Sequence, residues 1–133
     1  MNLNDYLEDP CKQEQGSPCY LGDGAFYVKR IHTPEYIKQI EEIKNALYGF
    51  TSKDMDQNLI VAHWLAEYGV TDWEGVNNPD DSELKFSRAN ARKVFLNPGQ
   101  FMSLNSLLIN HASSYANYLF DEVEEDVTQV KKS

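Results

Sequence analysis

Apolar residues recur at steps of three and four along much of the chain, the spacing that places side chains on one face of an α-helix. The strongest repeat lies in the last third of the chain and consists of Phe101, Leu104, Leu108, Ala112, Tyr115 and Leu119. It predicts a long final helix that starts at Pro98, a residue suited to a first helical turn, and runs at least to Phe120.

The best-marked helix boundaries lie between residues 33 and 49. Thr33 offers a capping hydroxyl, Pro34 suits the first helical position, and Gly49 is a typical terminator. The apolar residues between them that repeat at helical spacing are Tyr36, Ile40, Ile43 and Leu47. We expect this face to pack into the core.

A second helix is predicted from about Ser52 or Lys53 to Tyr68. Ile60 and Trp64 lie off the face that its other apolar residues form. The helix is therefore either buried on two sides or presents an apolar stripe to a partner. If the stripe is exposed, Ile60 and Trp64 are candidate partner-binding residues.

A third, shorter helix is predicted from Phe86 to Leu96, with Ser87 as its cap. Two segments carry strand signals: Ala25–Ile31, rich in aromatic and branched residues, and Val70–Val76, its best internal partner, which Gly75 makes short or bent. Either segment would otherwise pair with another copy of the chain. The predicted fold is mainly α: a small domain of about four helices with a short N-terminal strand or a two-stranded β element.

Composition divides the chain into three parts. Residues 1–24 mix three glycines and two prolines with polar residues, which predicts an irregular acidic N-terminal arm. Residues 25–120 form the predicted helical domain, and residues 121–133 an acidic, mobile C-terminal tail. The net charge is −9, and the arm (five acids, one base) and the tail (five acids, two bases) carry most of it.

This charge distribution argues against nucleic-acid binding, because acidic ends repel polyanions. The bases Arg88, Arg92 and Lys93 are too few for a phosphate-binding stripe and indicate a solvated helix face. Aliphatic runs such as Leu107–Ile109 are far below the roughly 20 apolar residues that span a membrane. Because the N-terminus has no secretory pattern, we expect the protein in the cytoplasm.

No pattern in the sequence predicts catalysis, a metal or a cofactor. Cys11 and Cys19 are expected to be reduced and unpaired, with no role that the sequence specifies. His63 and Glu67 would share a helix face and offer two metal ligands or a base with its orienting group, but no further ligands are evident. The acids of residues 80–83 fit a solvated turn better than a calcium loop.

One pattern in the middle of the chain is more specific: a Trp-x-Gly-Val turn followed by a Phe-Ser-x-x-Asn-Ala helix start. Its residues are Trp73, Gly75, Val76, Phe86, Ser87, Asn90 and Ala91. Within the order of elements over about residues 25–130, this pattern resembles the tail assembly chaperones of long, non-contractile-tailed (siphovirus, lambda-like) bacteriophages. The same residues also have structural roles, as core anchor, turn and helix cap, so they mark a fold and not a site.

The resemblance implies a non-catalytic chaperone that binds and solubilises the tape-measure protein during tail assembly, in the cytoplasm of the infected host and outside the mature virion. It implies self-association into an open spiral or ring, and a longer form, made by programmed frameshifting, that would contact the tail tube protein. The contacts are expected from the central helices, at Ile60 and Trp64, and from the tail acids. These are Asp121, Glu122, Glu124, Glu125 and Asp126.

The main alternative is a small acidic phage inhibitor that mimics DNA and binds a host nucleic-acid enzyme. Such a protein needs carboxylates arrayed across its body, and the nearly balanced charge of residues 25–120 argues against it. An enzyme that uses His63 and Glu67 ranks last, because nothing else in the sequence supports it.

Overall fold

The structure, a computed structural model, describes residues 1–49 and 54–121 and contains within them five α-helices and one antiparallel sheet of three strands. The helices are α1 (Pro10–Gln15), α2 (Pro34–Tyr48), α3 (Gln57–Trp64), α4 (Arg88–Phe95) and α5 (Pro98–Ser113). The strands are β1 (Ser17–Leu21), β2 (Gly24–Val28) and β3 (Val70–Glu74). Two 3-10 turns, Leu3–Tyr6 and Tyr115–Tyr118, and a π-helical turn, Leu65–Gly69, complete the fold.

The predicted fold class is wrong, because the sheet has three strands in the order β1-β2-β3 and a fifth helix precedes it. Both unpredicted elements, α1 and β1, lie in residues 1–24, where the glycines and prolines suggested an irregular arm. Those residues mark the ends of short elements: Pro10 opens α1, Gly16 ends it at φ 93°, and Gly22 forms the next turn at φ 61°. The pattern of breakers therefore indicated segment boundaries and not a lack of structure.

The predicted pairing between the two strand-like segments is confirmed. Strand β2 pairs antiparallel with β3, with Phe26 opposite Trp73, and an irregularity in register occurs between Tyr27 and Val28. Gly75 ends β3 as expected, at φ 69°, where a side chain would place its Cβ only 2.7 Å from the carbonyl oxygen of Asp23. A glycine is required there by both the backbone conformation and the close approach.

The core lies between the inner face of the sheet and helices α2 to α5. Phe26 on β2 packs edge-on against Trp73 on β3 and Phe95 on α4, with ring centroids 5.7 and 6.3 Å apart. The largest fully buried side chains are Trp64, Tyr118, Phe95, Ile60, Leu65, Leu108, Val28 and Val70. Sheet and helices thus share one core.

Two predicted helix starts are confirmed at the level of single hydrogen bonds. The Thr33 hydroxyl accepts a hydrogen bond from the Tyr36 amide (3.1 Å), and the Ser87 hydroxyl accepts one from the Asn90 amide (3.0 Å). Gly49 follows α2, as expected of a terminator. Local capping signals were sufficient at these positions because each cap satisfies an amide within three residues of itself.

The predicted length of the final helix is wrong. Helix α5 ends at Ser113, and Ser114 has extended backbone angles before the turn Tyr115–Tyr118 begins. The Asn117 side-chain amide donates to the His111 carbonyl (2.9 Å), and the buried Tyr118 hydroxyl donates to the Val28 carbonyl (2.7 Å). Burying Tyr118 against the sheet therefore prevails over the helical spacing of the last apolar residues.

The second predicted helix begins later than expected. Helix α3 starts at Gln57, where the Asp56 carboxylate accepts from the Asn58 amide (2.9 Å), while the expected start at Ser52 or Lys53 lies outside the described residues. It continues into the π-helical turn that ends at Gly69. None of the described helices combines the length and the apolar character needed to cross a membrane.

Candidate functional site

The two candidate contact residues of the second helix are interior residues. Ile60 and Trp64 are each only 1% exposed. The Trp64 indole donates to the Gln39 side-chain oxygen (2.9 Å), and its ring meets Tyr36 edge-on at 4.9 Å. The structure therefore has the helix buried on two sides, and neither residue presents a surface to a partner.

The candidate acids of the tail are only partly covered by the structure. Asp121 is exposed and forms an ion pair with Lys12 (2.7 Å). The other four candidates, Glu122, Glu124, Glu125 and Asp126, lie outside the described residues. Asp121 thus places the beginning of the acidic tail beside helix α1.

The first and last described segments of the chain are held together by backbone hydrogen bonds. Glu8 lies opposite Leu119 in an antiparallel bridge, the Asp9 amide donates to the Tyr118 carbonyl (2.9 Å), and the Phe120 amide donates to the Leu7 carbonyl (3.2 Å). The Lys12 ammonium reinforces this pairing by donating to the Leu119 carbonyl (2.7 Å).

This pairing creates an exposed apolar surface, which we call the terminal patch. It consists of five side chains that are each at least half exposed, Leu3 (71%), Tyr6 (52%), Leu7 (50%), Tyr115 (52%) and Phe120 (52%). Tyr6 stacks on Tyr115 with ring centroids 6.4 Å apart, and Leu3 is three residues from Tyr6 in a 3-10 turn, where such side chains eclipse. The five residues are therefore neighbours and not scattered apolar positions.

The terminal patch is bordered by carboxylates. Asp5 and Glu8 are exposed beside Tyr6 and Leu7 in the sequence, and Asp121 follows Phe120 directly. Glu8 forms an ion pair with Arg30, and Asp121 one with Lys12. Because these two carboxylates are already paired, Asp5 is the border carboxylate that suits a lysine or arginine beside the apolar stripe of a partner.

Sequence analysis missed this surface because its two halves are more than 100 residues apart in the chain. Leu3, Tyr6 and Leu7 follow a helical spacing in an otherwise polar segment, which was the available local signal. No local pattern indicates that these residues meet Tyr115 and Phe120.

A half-buried histidine lies next to this pairing. Asn117 Nδ2 lies 3.2 Å from His111 Nδ1, and the same amide donates to the His111 carbonyl, which fixes its orientation. His111 Nδ1 is therefore the acceptor, and Nε2 carries the proton that is shared with the Ser17 hydroxyl (3.1 Å). Burial lowers the pKa of His111, and protonation of Nδ1 would also set two donors against each other.

We expect the free energy of unfolding to fall as the pH is lowered from 7.5 towards 5. The pKa of His111 in the folded protein lies below its ordinary value, so the unfolded chain binds the proton first as the pH falls. The contribution of neutral His111 to the free energy of unfolding is therefore complete above about pH 6.5, the ordinary pKa of histidine. It is lost as the pH falls towards the folded pKa. One bound proton corresponds to a slope of at most about 1.4 kcal/mol per pH unit. Urea unfolding at several pH values should give a flatter slope for His111→Gln than for His32→Gln, and equal slopes would contradict the assignment.

Of the polar residues considered for chemistry, Glu67 has a structural partner. Glu67 accepts two hydrogen bonds from Arg92 (2.6 and 2.9 Å), and this contact lowers the pKa of Glu67. Cys11 is exposed and Cys19 buried, both as free thiols, and burial raises the pKa of Cys19. Residues 1–49 and 54–121 contain no group of three or more histidine, cysteine or acidic side chains placed to hold a metal ion.

The comparisons with known proteins bear on most of the fold. The model of the YdaY prophage protein family matches residues 31–129, a range that starts just after β2 and contains helices α2 to α5 together with β3. No curated protein and no solved structure matches the chain.

Proposed function

The chain belongs to the YdaY prophage protein family and is phage-derived, and from this premise we propose that it is a non-catalytic tail assembly chaperone. It binds and solubilises the tape-measure protein during tail assembly, acts in the cytoplasm of the infected host, and is absent from the mature virion. Copies of the chain self-associate along the client. A longer form, made by programmed frameshifting, adds a contact to the tail tube protein.

The observation that carries this proposal is the terminal patch. A tape-measure protein is a very long helical chain, and its apolar stripes aggregate unless another protein covers them during assembly. Five neighbouring apolar side chains, each at least half exposed, give this small protein a surface suited to such a stripe. Exposed apolar patches of this kind are typical of interaction sites.

The charge of the chain supports the same reading. With 21 acids and 12 bases, it attracts basic segments and repels other acidic ones. Beside the terminal patch, Asp5 forms no ion pair among the described residues, whereas Glu8 and Asp121 are paired with Arg30 and Lys12. The proposed client segment is therefore an amphipathic helix with lysine or arginine beside its apolar stripe, and its binding weakens as salt is raised.

The motif residues that carry the resemblance act within the fold. The Trp73 indole donates to the Leu84 carbonyl (2.7 Å), and its ring meets Phe86 edge-on at 5.1 Å. Ser87 caps α4 next to them. These contacts fix the connection between β3 and α4, so the motif supports a shared fold, and the contact surface must be argued from the terminal patch.

Co-expression with the tape-measure protein of the same phage or prophage tests the proposal. We expect the client to be insoluble alone and to elute with several copies of this chain as one soluble complex in light-scattering chromatography. The complex should dissociate progressively as salt rises, because carboxylates border the contact. A client that precipitates equally with and without this chain, while the chain elutes alone, would overturn the proposal.

The DNA-mimic alternative has no comparable observation in its favour. Glu8, Glu35 and Glu67 each form an ion pair with an arginine or lysine. Carboxylates paired in this way are less suited to imitate a row of phosphates. The chaperone proposal is therefore the one that the exposed surface supports.

A further inference from the structure

One long stretch of the sequence carries no charged side chain. Residues 94–120 contain no aspartate, glutamate, lysine or arginine, although these residues make up 25% of the chain. The stretch includes the whole of α5. Helix α3 also lacks these residues, whereas the other three α-helices that the structure describes contain them. The net charge of −9 is therefore carried by other parts of the chain.

Helices α3 and α5 contact each other and share an exposed surface, which we call the uncharged face. Met102 and Leu107 are 54% and 50% exposed, and at about 3.6 residues per turn Ser106 lies between them on the outer side of α5. A groove of about 180 Å³ lies between the two helices, and no charged side chain lines it. The uncharged face consists of Asn58, Val61, Met102, Ser106, Leu107 and Asn110.

The shape of the uncharged face suits another helix. Its groove is smaller than the roughly 300–1,000 Å³ of small-molecule pockets, so a small ligand is not the expected occupant. Helices pack by placing the side chains of one into the grooves of the other, with their axes about 8–10 Å apart. The short side chain of Ser106 lets a second helix approach, while Met102 and Leu107 supply apolar surface on either side of it.

Charge selects a second copy of the chain over the client as the partner of this face. The proposed client is basic and is attracted to carboxylates, which the uncharged face does not contain. Two copies that each carry a net charge of −9 repel each other, so they associate best through a surface with no charge of its own. The uncharged face meets this requirement, whereas α1, α2 and α4 all carry charged residues.

We propose that two copies of the chain form a two-fold symmetric dimer through the uncharged face, with α5 packed against α5 and Ser106 of each copy facing the other. A two-fold contact uses the same surface on both copies, so a single charge-free surface is sufficient. This inference rests on the proposed function and deepens it, because it names the surface through which copies associate along the client.

The dimer explains how a small protein with one terminal patch coats a long client. Each dimer carries two terminal patches, and a client with repeated apolar stripes engages both, which raises the overall affinity without a new kind of contact. Helix α5 has 16 residues and is about 24 Å long, so the contact between copies is small. We therefore expect a dissociation constant in the micromolar range, and a dimer that forms most readily where the client concentrates the copies.

A charge-swap experiment tests the contact. Ser106→Glu and Ser106→Lys place a charge on an exposed helical position and use residues that favour helices more than serine does, so the fold should be kept. In sedimentation velocity over a range of concentrations, the wild type should show a reversible monomer–dimer equilibrium. Each variant alone should dimerise at least about tenfold more weakly, because the two-fold axis brings two like charges together. Their equimolar mixture should dimerise at the wild-type level, because opposite charges then meet.

Matched controls separate this contact from general effects of charge and apolar surface. Asn45→Glu and Asn45→Lys make the same charge changes at an exposed position of α2 and should leave the dimer at the wild-type level. The double variant Met102→Ser and Leu107→Ser should weaken the dimer at least about tenfold, because it removes the apolar surface beside Ser106. The double variant Ile37→Ser and Leu47→Ser should leave the dimer unchanged.

Salt should act in opposite directions on the two associations. The dimer should become stronger as salt is raised, because salt screens the repulsion between copies of net charge −9 and the contact contains no ion pair to be weakened. The client complex should become weaker over the same range. A dimer that weakens with salt would contradict a contact through the uncharged face.

The remaining outcomes distinguish this inference from the proposed function. A wild type that stays monomeric, or a mixture of the two Ser106 variants that stays monomeric, would overturn the dimer. A monomeric wild type whose client binding is lost in Ser106→Glu would assign the uncharged face to the client and would also overturn the dimer. A monomeric wild type that still solubilises the client would overturn the dimer alone. A dimer that forms as described without any client binding would instead overturn the proposed function.

Discussion

Trp64→Ala is expected to lower the free energy of unfolding by about 3–5 kcal/mol, the usual cost of removing a large aromatic side chain from a core. Trp64 is 1% exposed and packs edge-on against Tyr36. Gly69 lies so close to its ring that an added Cβ would stand 2.4 Å from it, which shows how tightly the site is filled. The truncation also leaves the Gln39 side-chain oxygen without its indole donor.

Urea unfolding followed by circular dichroism measures this loss directly. Ile37→Ala is the matched control, because Ile37 is a large apolar residue on α2 that is 56% exposed, and we expect its stability to change by no more than about 0.5 kcal/mol. A Trp64→Ala protein with unchanged stability but lost client binding would contradict the interior position of Trp64. Such a result would indicate that Trp64 contacts the client directly.

Periodicity could not decide between the two readings of the second helix. Apolar residues on two sides of a helix occur both in helices buried on two sides, which is the more common case, and in helices with an exposed stripe. Ile60 and Trp64 are buried because α3 contacts helices α2, α4 and α5, with which it shares one core. Only the tertiary arrangement supplies that information.

Two capping signals, in contrast, predicted helix starts correctly. Thr33 and Ser87 each satisfy an amide three residues away, so the sequence contains the whole interaction. The end of α5 depends on Tyr118 and Val28, which are 90 residues apart, and no window of local sequence includes both. The predicted helix therefore ran too far, to Phe120 instead of Ser113.

The β structure was underestimated for a related reason. Strand β1 has only five residues and contains a proline, a combination that argues against a strand when it is judged alone. It forms because Pro18 lies on the free edge, where its missing amide proton removes no hydrogen bond of the sheet. The prediction of β2 and β3 succeeded because aromatic and branched residues mark both strands.

Replacing Tyr6, Tyr115 and Phe120 together by serine is expected to weaken client binding at least about 100-fold. These three side chains are each 52% exposed, and aromatic residues of this kind dominate the energy of protein contacts. Two such losses of about 1.4 kcal/mol each already correspond to 100-fold. The free energy of unfolding should fall by only about 1 kcal/mol, mainly because the stacked pair of Tyr6 and Tyr115 is lost.

The double variant Ile37→Ser and Leu47→Ser separates a specific contact from general stickiness, because both residues are exposed and apolar but lie on α2, outside the terminal patch. It should keep the client soluble at wild-type levels in the same co-expression assay.

If both variants reduce client binding equally, the chain acts through diffuse hydrophobic contact and the terminal patch has no special role. If only the triple variant loses the client while remaining folded, the client contact lies where the first and last described segments pair. Asp121, which follows Phe120 directly, would then lie beside the bound helix.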